Sequence, residues 1–369
     1  MAKNQPKNTY LVGGAVRDSL LGLAAAERDW VVVGSSVAEM KAAGFTQVGK
    51  DFPVFLHPET QEEYALARRE RKIRPGHTGF ETDASDKITL EEDLRRRDLT
   101  INAIARDEQG NLIDPCHGCE DIESRTIRHV SAAFDEDPLR VLRVARFAAR
   151  LSPLGFQVTD ETRMLCEAMV SRGDLSELAS ERIFRELDKA LAVDHPEIFF
   201  RFLARISAAE HLWPELNDAS IDLLAKATTG TSNVQRFAIL FSHSPVDRIK
   251  FRCKQLKAPS HYRALAVNCS QHMSTWSQVS TLCAEEIVGF LYDLDAIRKP
   301  DRFREFNDTC SHIVHAQASD CRQQHLWIDY FSIVSNITST NVGANLRGPA
   351  IGKAIKKHQI EAIESYHED

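Results

Sequence analysis

Two stretches of the chain combine residue types suited to phosphate chemistry. In the first, Gly13-Gly14 is followed by Arg17, and then by Glu27 and Asp29. Without Cβ atoms, the backbone at Gly13 and Gly14 can approach a ligand closely. The amides of the helix N-terminus that follows suit a phosphate, and Arg17, in its first turn, can pair with the same group. Glu27 and Asp29 stand two apart at the mouth of a strand, so they point to one face, ~6.6 Å apart. Two carboxylates on one face repel unless a cation lies between them. Two Mg²⁺ ions ~4 Å apart would satisfy them and drive an in-line displacement at phosphorus. The plainer alternative is turn chemistry at the glycines and a solvated strand end at the acids.

In the second stretch, Asp137, Arg140, Arg143 and Arg146 recur at spacing three, which predicts one side of a helix. The same helix carries Leu139, Leu142, Val144 and Phe147, so it must pack against a body. An arginine stripe on a packed helix beside a metal site makes a triphosphate clamp, and Arg97 adds a further positive group. Asp137 and Arg140 support a sharper reading. A carboxylate accepts and a guanidinium donates. Cytosine presents its N4 amino group beside N3, and adenine its N6 amino group beside N1. Both edges match the pair, whereas uracil and guanine present the reverse order. The pair can therefore accept CTP and ATP and reject UTP and GTP, because a wrong base leaves buried polar groups unpaired. The charged, Gly- and Pro-containing stretch Arg69–Gly79, with neither helix nor strand period, reads as a loop.

The elements that must position these residues alternate in the first third of the chain. Thr9–Val12 reads as a strand stopped by Gly13-Gly14, and Ala15–Gly22 as a helix with Val16, Leu20 and Leu21 on its apolar face. Trp30–Val33 reads as a strand buried on both faces. Phe52–Leu56 and Glu63–Ala67 are two more strands, so a mixed α/β domain is expected. From Asp137 the pattern is helical: Leu139–Leu151, Asp160–Met169, Ser180–Val193 and Pro196–Ile206 have a 3.6-residue period. Thr228–Asn233 is a polar break and a candidate domain boundary. Shorter, less regular helices are expected to about Val314, and a last amphipathic helix over Ala354–Ser365.

The chain has 369 residues, 43% apolar and 27% charged, ordinary values for a globular protein. Basic residues number 46 against 53 acidic, a net charge of −7, and neither half is basic. A general polyanion sponge is excluded, and any nucleic acid must be held by local patches. No apolar run reaches the ~18 residues of a membrane span. The polar start carries no secretory pattern, and eight sparse cysteines fit a reducing setting, so a cytoplasmic location is expected.

The run Leu11–Gly22, with Glu27-Arg28-Asp29 and Trp30–Gly34 after it, resembles the start of the class II CCA-adding enzymes, the bacterial-type tRNA nucleotidyltransferases. Further blocks resemble the same family: Glu92-Asp93-Leu94 with Arg97-Asp98-Leu99-Thr100-Ile101-Asn102-Ala103, Asp114-Pro115 with Gly118, and Glu136–Phe147. The resemblance is dense over residues 10–205 and thin afterwards.

It implies a nucleotidyltransferase that adds CCA to a tRNA 3′ end from CTP and ATP without a nucleic-acid template, releasing pyrophosphate. It implies Mg²⁺ on Glu27 and Asp29, nucleotide held by Gly14, Arg17, Arg97, Arg143 and Arg146, and Asp137 with Arg140 as the amino-acid template. Glu63 matches, more loosely, a third catalytic acidic position. Arg69–Gly79 occupies the place of the family's flexible loop, the movable part needed to switch from C to the final A. The family usually has Asp where this chain has Glu27, one methylene longer, so a slower chemical step is expected.

The implied fold is an α/β nucleotidyltransferase head, a mixed β-sheet with flanking helices, at 1–135. A helical neck with the base reader and triphosphate clamp follows at 136–207, and a helical body and tail that bind tRNA at 208–369. Partners are the tRNA acceptor arm and 3′ end, ATP and CTP, with no membrane, and the chain is expected to be a monomer or weak homo-oligomer. Alternatives are a poly(A) polymerase of the same superfamily, or a non-catalytic tRNA- or nucleotide-binding protein.

Other signals are weaker. Cys116-His117-Gly118-Cys119 lacks a second pair at zinc spacing and reads as a chance match. Cys310, His312 and His315 read the same way. Arg236–Pro245 resembles a decayed helix of the HD-type phosphohydrolase domain that many relatives carry. It has Ser242-His243 where adjacent His-Asp ligands would stand, so a scaffold without that chemistry is expected. Two late basic clusters, Arg248–Lys257 and Lys353–Lys357, suit either tRNA phosphates or solvated helix faces.

Overall fold

The computed structural model describes residues 6, 8–24, 27–48, 54–72, 80–83, 87–315, 322–341 and 347–368, and only the backbone of 69–72, 80–83 and 315. The chain divides into two compact units, residues 1–190 with 198–208 and residues 191–197 with 209–369.

The first unit carries a mixed sheet. In chain order the strands are β1 (Thr9–Val12), β2 (Asp29–Val32), β3 (Thr46–Gln47), β4 (Val54–Leu56), β5 (Glu63–Leu66), β6 (Arg69–Lys72), β7 (Phe80–Asp83), β8 (Ala105–Arg106) and β9 (Leu112–Ile113). Seven of them form one sheet in the order β3-β4-β5-β2-β1-β8-β9. Only β2 and β5 pair in parallel; the other neighbours are antiparallel. The two-residue period of the central strands serves both faces. Val12 and Val31 pack with Leu94, Ala103 and Ala105. Val32, Tyr64 and Leu66 point the other way and pack with Met40, Phe45 and Phe55. This is the burial on both faces that the valine run predicts.

The helices that flank the sheet are α1 (Gly14–Leu20), α2 (Val37–Ala42), α3 (Leu90–Arg95) and α4 (Gly118–Glu123). Capping boxes start two of them, Ser36 with Glu39 on α2 and Thr89 with Glu92 on α3. On α1, Val16 is fully buried but Leu20 is not part of an apolar face, being 38% exposed. The helical run continues with α5 (Leu139–Leu151), α6 (Asp160–Ser171), α7 (Ser180–Leu191) and α8 (Glu197–Arg205), close to the periods read from the sequence. A short parallel pair, β10 (Thr126–Ile127) and β11 (Gln157–Val158), lies among them.

One expectation about the loop changes. Arg69–Lys72 is strand β6, paired antiparallel with β7 in a two-stranded hairpin. Its run of charges hides the strand, because backbone pairing needs no apolar side chains. Residues 73–79, the rest of the predicted loop, lie outside the described residues.

The second unit is helical among its described residues: α9 (Ala208–Leu212), α10 (Asp218–Ala227), α11 (Asn233–Phe241), α12 (Val246–Gln255), α13 (Ser260–Ser277), α14 (Ala284–Asp293), α15 (Pro300–His315), α16 (Arg322–Asn336) and α17 (Pro349–Glu368). Its helices are longer than the sequence suggests. On α13, Tyr262, Leu265, Ala266, Cys269 and Trp276 are buried at helical spacing, diluted by Ser, Thr and His elsewhere. Trp276 Nε1 donates to Asn307 Oδ1 at 2.7 Å, and the Trp327 and Phe290 rings stack at 4.2 Å. Thr228–Asn233 is a turn inside this unit and not a domain boundary. Its polar residues are caps: Thr228 Oγ1 donates to the Leu224 carbonyl, Thr231 Oγ1 to that of Thr228, and Ser232 with Gln235 caps α11. Among the described residues no helix is long and apolar enough to cross a membrane.

Candidate active site

The register of the sheet assembles the first constellation. Asp29 is the first residue of β2, opposite Val12 on β1 and beside Glu63 on β5. Gly13 and Gly14 follow Val12 directly, so the glycine turn stands next to Asp29. Gly13 has φ +70°, and a Cβ there would come within 3.0 Å of an Arg97 guanidinium nitrogen. Glycine at this position therefore serves both the left-handed backbone and the close approach of Arg97.

These residues open into a cavity of about 530 Å³. Glu27, Asp29 and Glu63 line it, and none of their carboxylates has a hydrogen bond or ion pair with a described residue. Solvent reaches Asp29, yet the cavity walls withdraw enough hydration to push its carboxyl above the usual range. Arg97, Lys189 and Arg143 pull it back, and Glu27 pushes it further up. Among the described residues no three metal-binding side chains form a cluster. Mg²⁺ does not require one, since it is held by one or two carboxylates together with substrate phosphates. The donor set at Glu27 and Asp29 fits such an ion.

The lining is also strongly basic: nine arginines and Lys189 border the cavity. Most are anchored from behind. Arg17 is 1% exposed, and its guanidinium donates to Asp18 and Asn102. Arg143 Nε donates to Asp98 Oδ2 at 2.7 Å, and Arg146 Nε to Glu186 Oε2 at 2.6 Å. Arg17, Arg143 and Arg146 all lie over the Phe147 ring, at 5.0, 5.7 and 4.4 Å from its centroid. Arg97 donates to Asp93 at 3.2 Å, and its Nε is buried with no partner among the described residues.

Asp137 is not on the helix. It precedes α5 in extended conformation, because Pro138 at the helix start disfavours a helical residue before it. Its carboxylate accepts from the Leu139 amide at 3.1 Å and from Arg182 at 2.8 Å. Arg140 is on α5 and donates to the carbonyls of Ala133 at 2.7 Å and Arg96 at 2.6 Å. Every candidate named from the sequence, Gly14, Arg17, Glu27, Asp29, Glu63, Arg97, Asp137, Arg140, Arg143 and Arg146, lines the one cavity.

Sequence reasoning missed the contribution of α7. Arg182, Glu186 and Lys189 sit at spacings of four and three, one helix face, and that charged face is the signal that pairs with the arginine stripe of α5. In the sequence Gly118 stands out only as part of a block. Its reason is steric: a Cβ there would lie 2.2 Å from the Thr100 carbonyl oxygen.

The profile of the family described as "Poly A polymerase head domain" matches residues 9–128, and that described as "Probable RNA and SrmB- binding site of polymerase A" matches residues 155–220. A "CCA-adding enzyme" of Pseudomonas putida is 44% identical over 366 residues, which is 97% of this chain and 98% of that relative. The chain belongs to the CCA-adding enzyme family. A "Multifunctional CCA protein" of Teredinibacter turnerae is 46% identical over 96% of this chain and 97% of its own length. The structure of a CCA-adding enzyme in "apo form II" has the same fold, with a TM-score of 0.71 at 21% identity over 98% of this chain and 91% of that one. The mixed-sheet head and the helical remainder are thus the fold of this family.

Proposed function

We propose that the protein is a tRNA nucleotidyltransferase that adds C, C and A to the 3′ end of tRNA from CTP and ATP, without a nucleic-acid template. The observation that carries this reading is that Glu27 and Asp29, which have no partner among the described residues, share one cavity with a set of anchored arginines. In each cycle the terminal 3′-oxygen of the tRNA bonds to the α-phosphorus and the bond to the bridging oxygen breaks. Pyrophosphate leaves, and the hydroxyl proton passes to solvent.

Glu27 and Asp29 would hold Mg²⁺, which supplies positive charge at the reacting phosphate and lowers the pKa of the attacking hydroxyl. Gly14 lets the backbone approach the triphosphate. Arg97, Arg143 and Arg146 bind its oxygens, held in place beforehand by Asp93, Asp98 and Glu186 so that little reorganisation is needed. Arg17, locked on Asp18 and Asn102, supports the turn and adds positive potential. Asp137 and Arg140 read the base edge. Three of the roughly four acceptor positions of Asp137 are in use, which leaves one for an exocyclic amino group. Glu63 lies beside Asp29, where it can orient the 3′-hydroxyl.

In this reading residues 1–135 are the head, 136–207 the neck, and 208–369 the body and tail that bind tRNA, with a degenerate HD-like segment. The protein works in the cytoplasm as a monomer or weak homo-oligomer. The test is incubation of a tRNA lacking its 3′ CCA with each nucleotide alone and with CTP and ATP together. Incorporation of C, C and one A supports the reading. A run of A residues would indicate a poly(A) polymerase, and no incorporation a binding protein.

A further inference from the structure

Helix α7 carries Arg182, Glu186 and Lys189 along one face, and Arg182 and Lys189 line the cavity. Arg182 is tied to Asp137, and Glu186, 3% exposed, is tied to Arg146 with Arg143 3.9 Å away. Lys189 differs from both. Its ammonium has no hydrogen bond or ion pair with any described residue, although it borders a cavity that also holds several carboxylates. A cation on a flexible four-carbon stem, in the lining of a phosphate site and uncommitted among the described residues, is suited to bind an anionic ligand.

We infer that Lys189 binds the departing end of the triphosphate, the β- and γ-phosphate oxygens that leave as pyrophosphate. The inference rests on the nucleotidyltransferase reading and extends it to a residue that neither the glycine turn nor the arginine stripe includes. The arginines are fixed in geometry by their acidic partners. The mobile lysine can follow the pyrophosphate as its bond to the α-phosphorus lengthens, so it contacts the leaving group without touching the base.

The test compares the parent protein with Lys189→Ala and Lys189→Arg. Incorporation of CTP and ATP is measured at varied nucleotide on tRNA ending before each step. The reverse reaction is measured at varied pyrophosphate on a complete tRNA, and tRNA binding in a separate titration. Lys189→Ala is expected to weaken CTP, ATP and pyrophosphate use alike, by about ten- to a hundredfold. The ranking of the four nucleotides and the tRNA affinity should stay unchanged, and Lys189→Arg should recover most of the loss. Unchanged pyrophosphate dependence overturns the inference, as does a loss confined to tRNA affinity, which would place Lys189 on the RNA backbone. An inactive parent would instead overturn the nucleotidyltransferase reading itself.

Discussion

Arg143 on α5 donates its Nε to Asp98 Oδ2 at 2.7 Å, joining the end of the Arg-Arg-Asp run to a helix 45 residues later. Burial alone would push the Asp98 carboxyl up. The Arg143 guanidinium, its hydrogen bond and Asn102 outweigh burial and hold that carboxyl well below the usual range. A depressed folded-state pKa contributes stability above the ordinary carboxylate value of ~3.9, lost only as pH falls through the folded value. Asp98→Asn should therefore cost about 1–3 kcal/mol, because it removes the buried charge that the partly exposed Arg143 guanidinium pairs with. The gap in melting temperature between parent and variant should be the same at pH 7 and pH 5 and shrink only in stronger acid. A gap that closes between pH 7 and pH 5 would contradict the assignment.

Asp29→Ala should abolish incorporation of both C and A while tRNA affinity stays within about twofold, since the carboxylate faces the cavity and supports no other residue. Glu27→Asp should keep or raise the rate. Residual activity of Asp29→Ala near that of the parent would remove the metal-holding role.

Asp137→Ala leaves Arg140 pinned by two carbonyls but removes the acceptor proposed for the exocyclic amino group. The expected loss is ~1–3 kcal/mol of discrimination, roughly ten- to a hundredfold. UTP, and to a smaller degree GTP, should then enter. Arg97→Ala should slow all nucleotides together and keep their order. Single-nucleotide incorporation with all four NTPs separates the two patterns. If Asp137→Ala lowers CTP and ATP use with UTP and GTP still excluded, the template pair is wrong.

Replacement of residues 73–79 by a Gly/Ser linker that keeps β6 and β7 should allow CC addition and stall before A. Equal loss of both steps, read on a sequencing gel, would make the segment a general substrate clamp.

Gly118→Ala places a methyl 2.2 Å from the Thr100 carbonyl oxygen, a backbone atom that cannot rotate away. The shift of α4 against the turn at Thr100 should cost about 1–3 kcal/mol. Thermal unfolding measures it, and a melting temperature equal to the parent's would show that α4 moves freely.

The residue types that meet in the cavity were legible from the chain because each set lies at short spacing. Gly13-Gly14, the Glu27–Asp29 step and the arginines of α5 each lie within a few residues of one another, and strand and helix periods place each set on one face. What local spacing cannot contain is partnership across the fold. The parallel ladder that sets Glu63 beside Asp29 joins residues 34 apart, and Arg182 reaches Asp137 from 45 residues away. The sequence showed a row of arginines. Tertiary packing decided which are tied to acids from behind and that Lys189 is not. It also put Asp137 off the helix, where Pro138 ends the helical path, and made a strand of Arg69–Lys72. Charge and periodicity determine what a segment can do. Which group it does it with depends on burial and on neighbours brought from far along the chain.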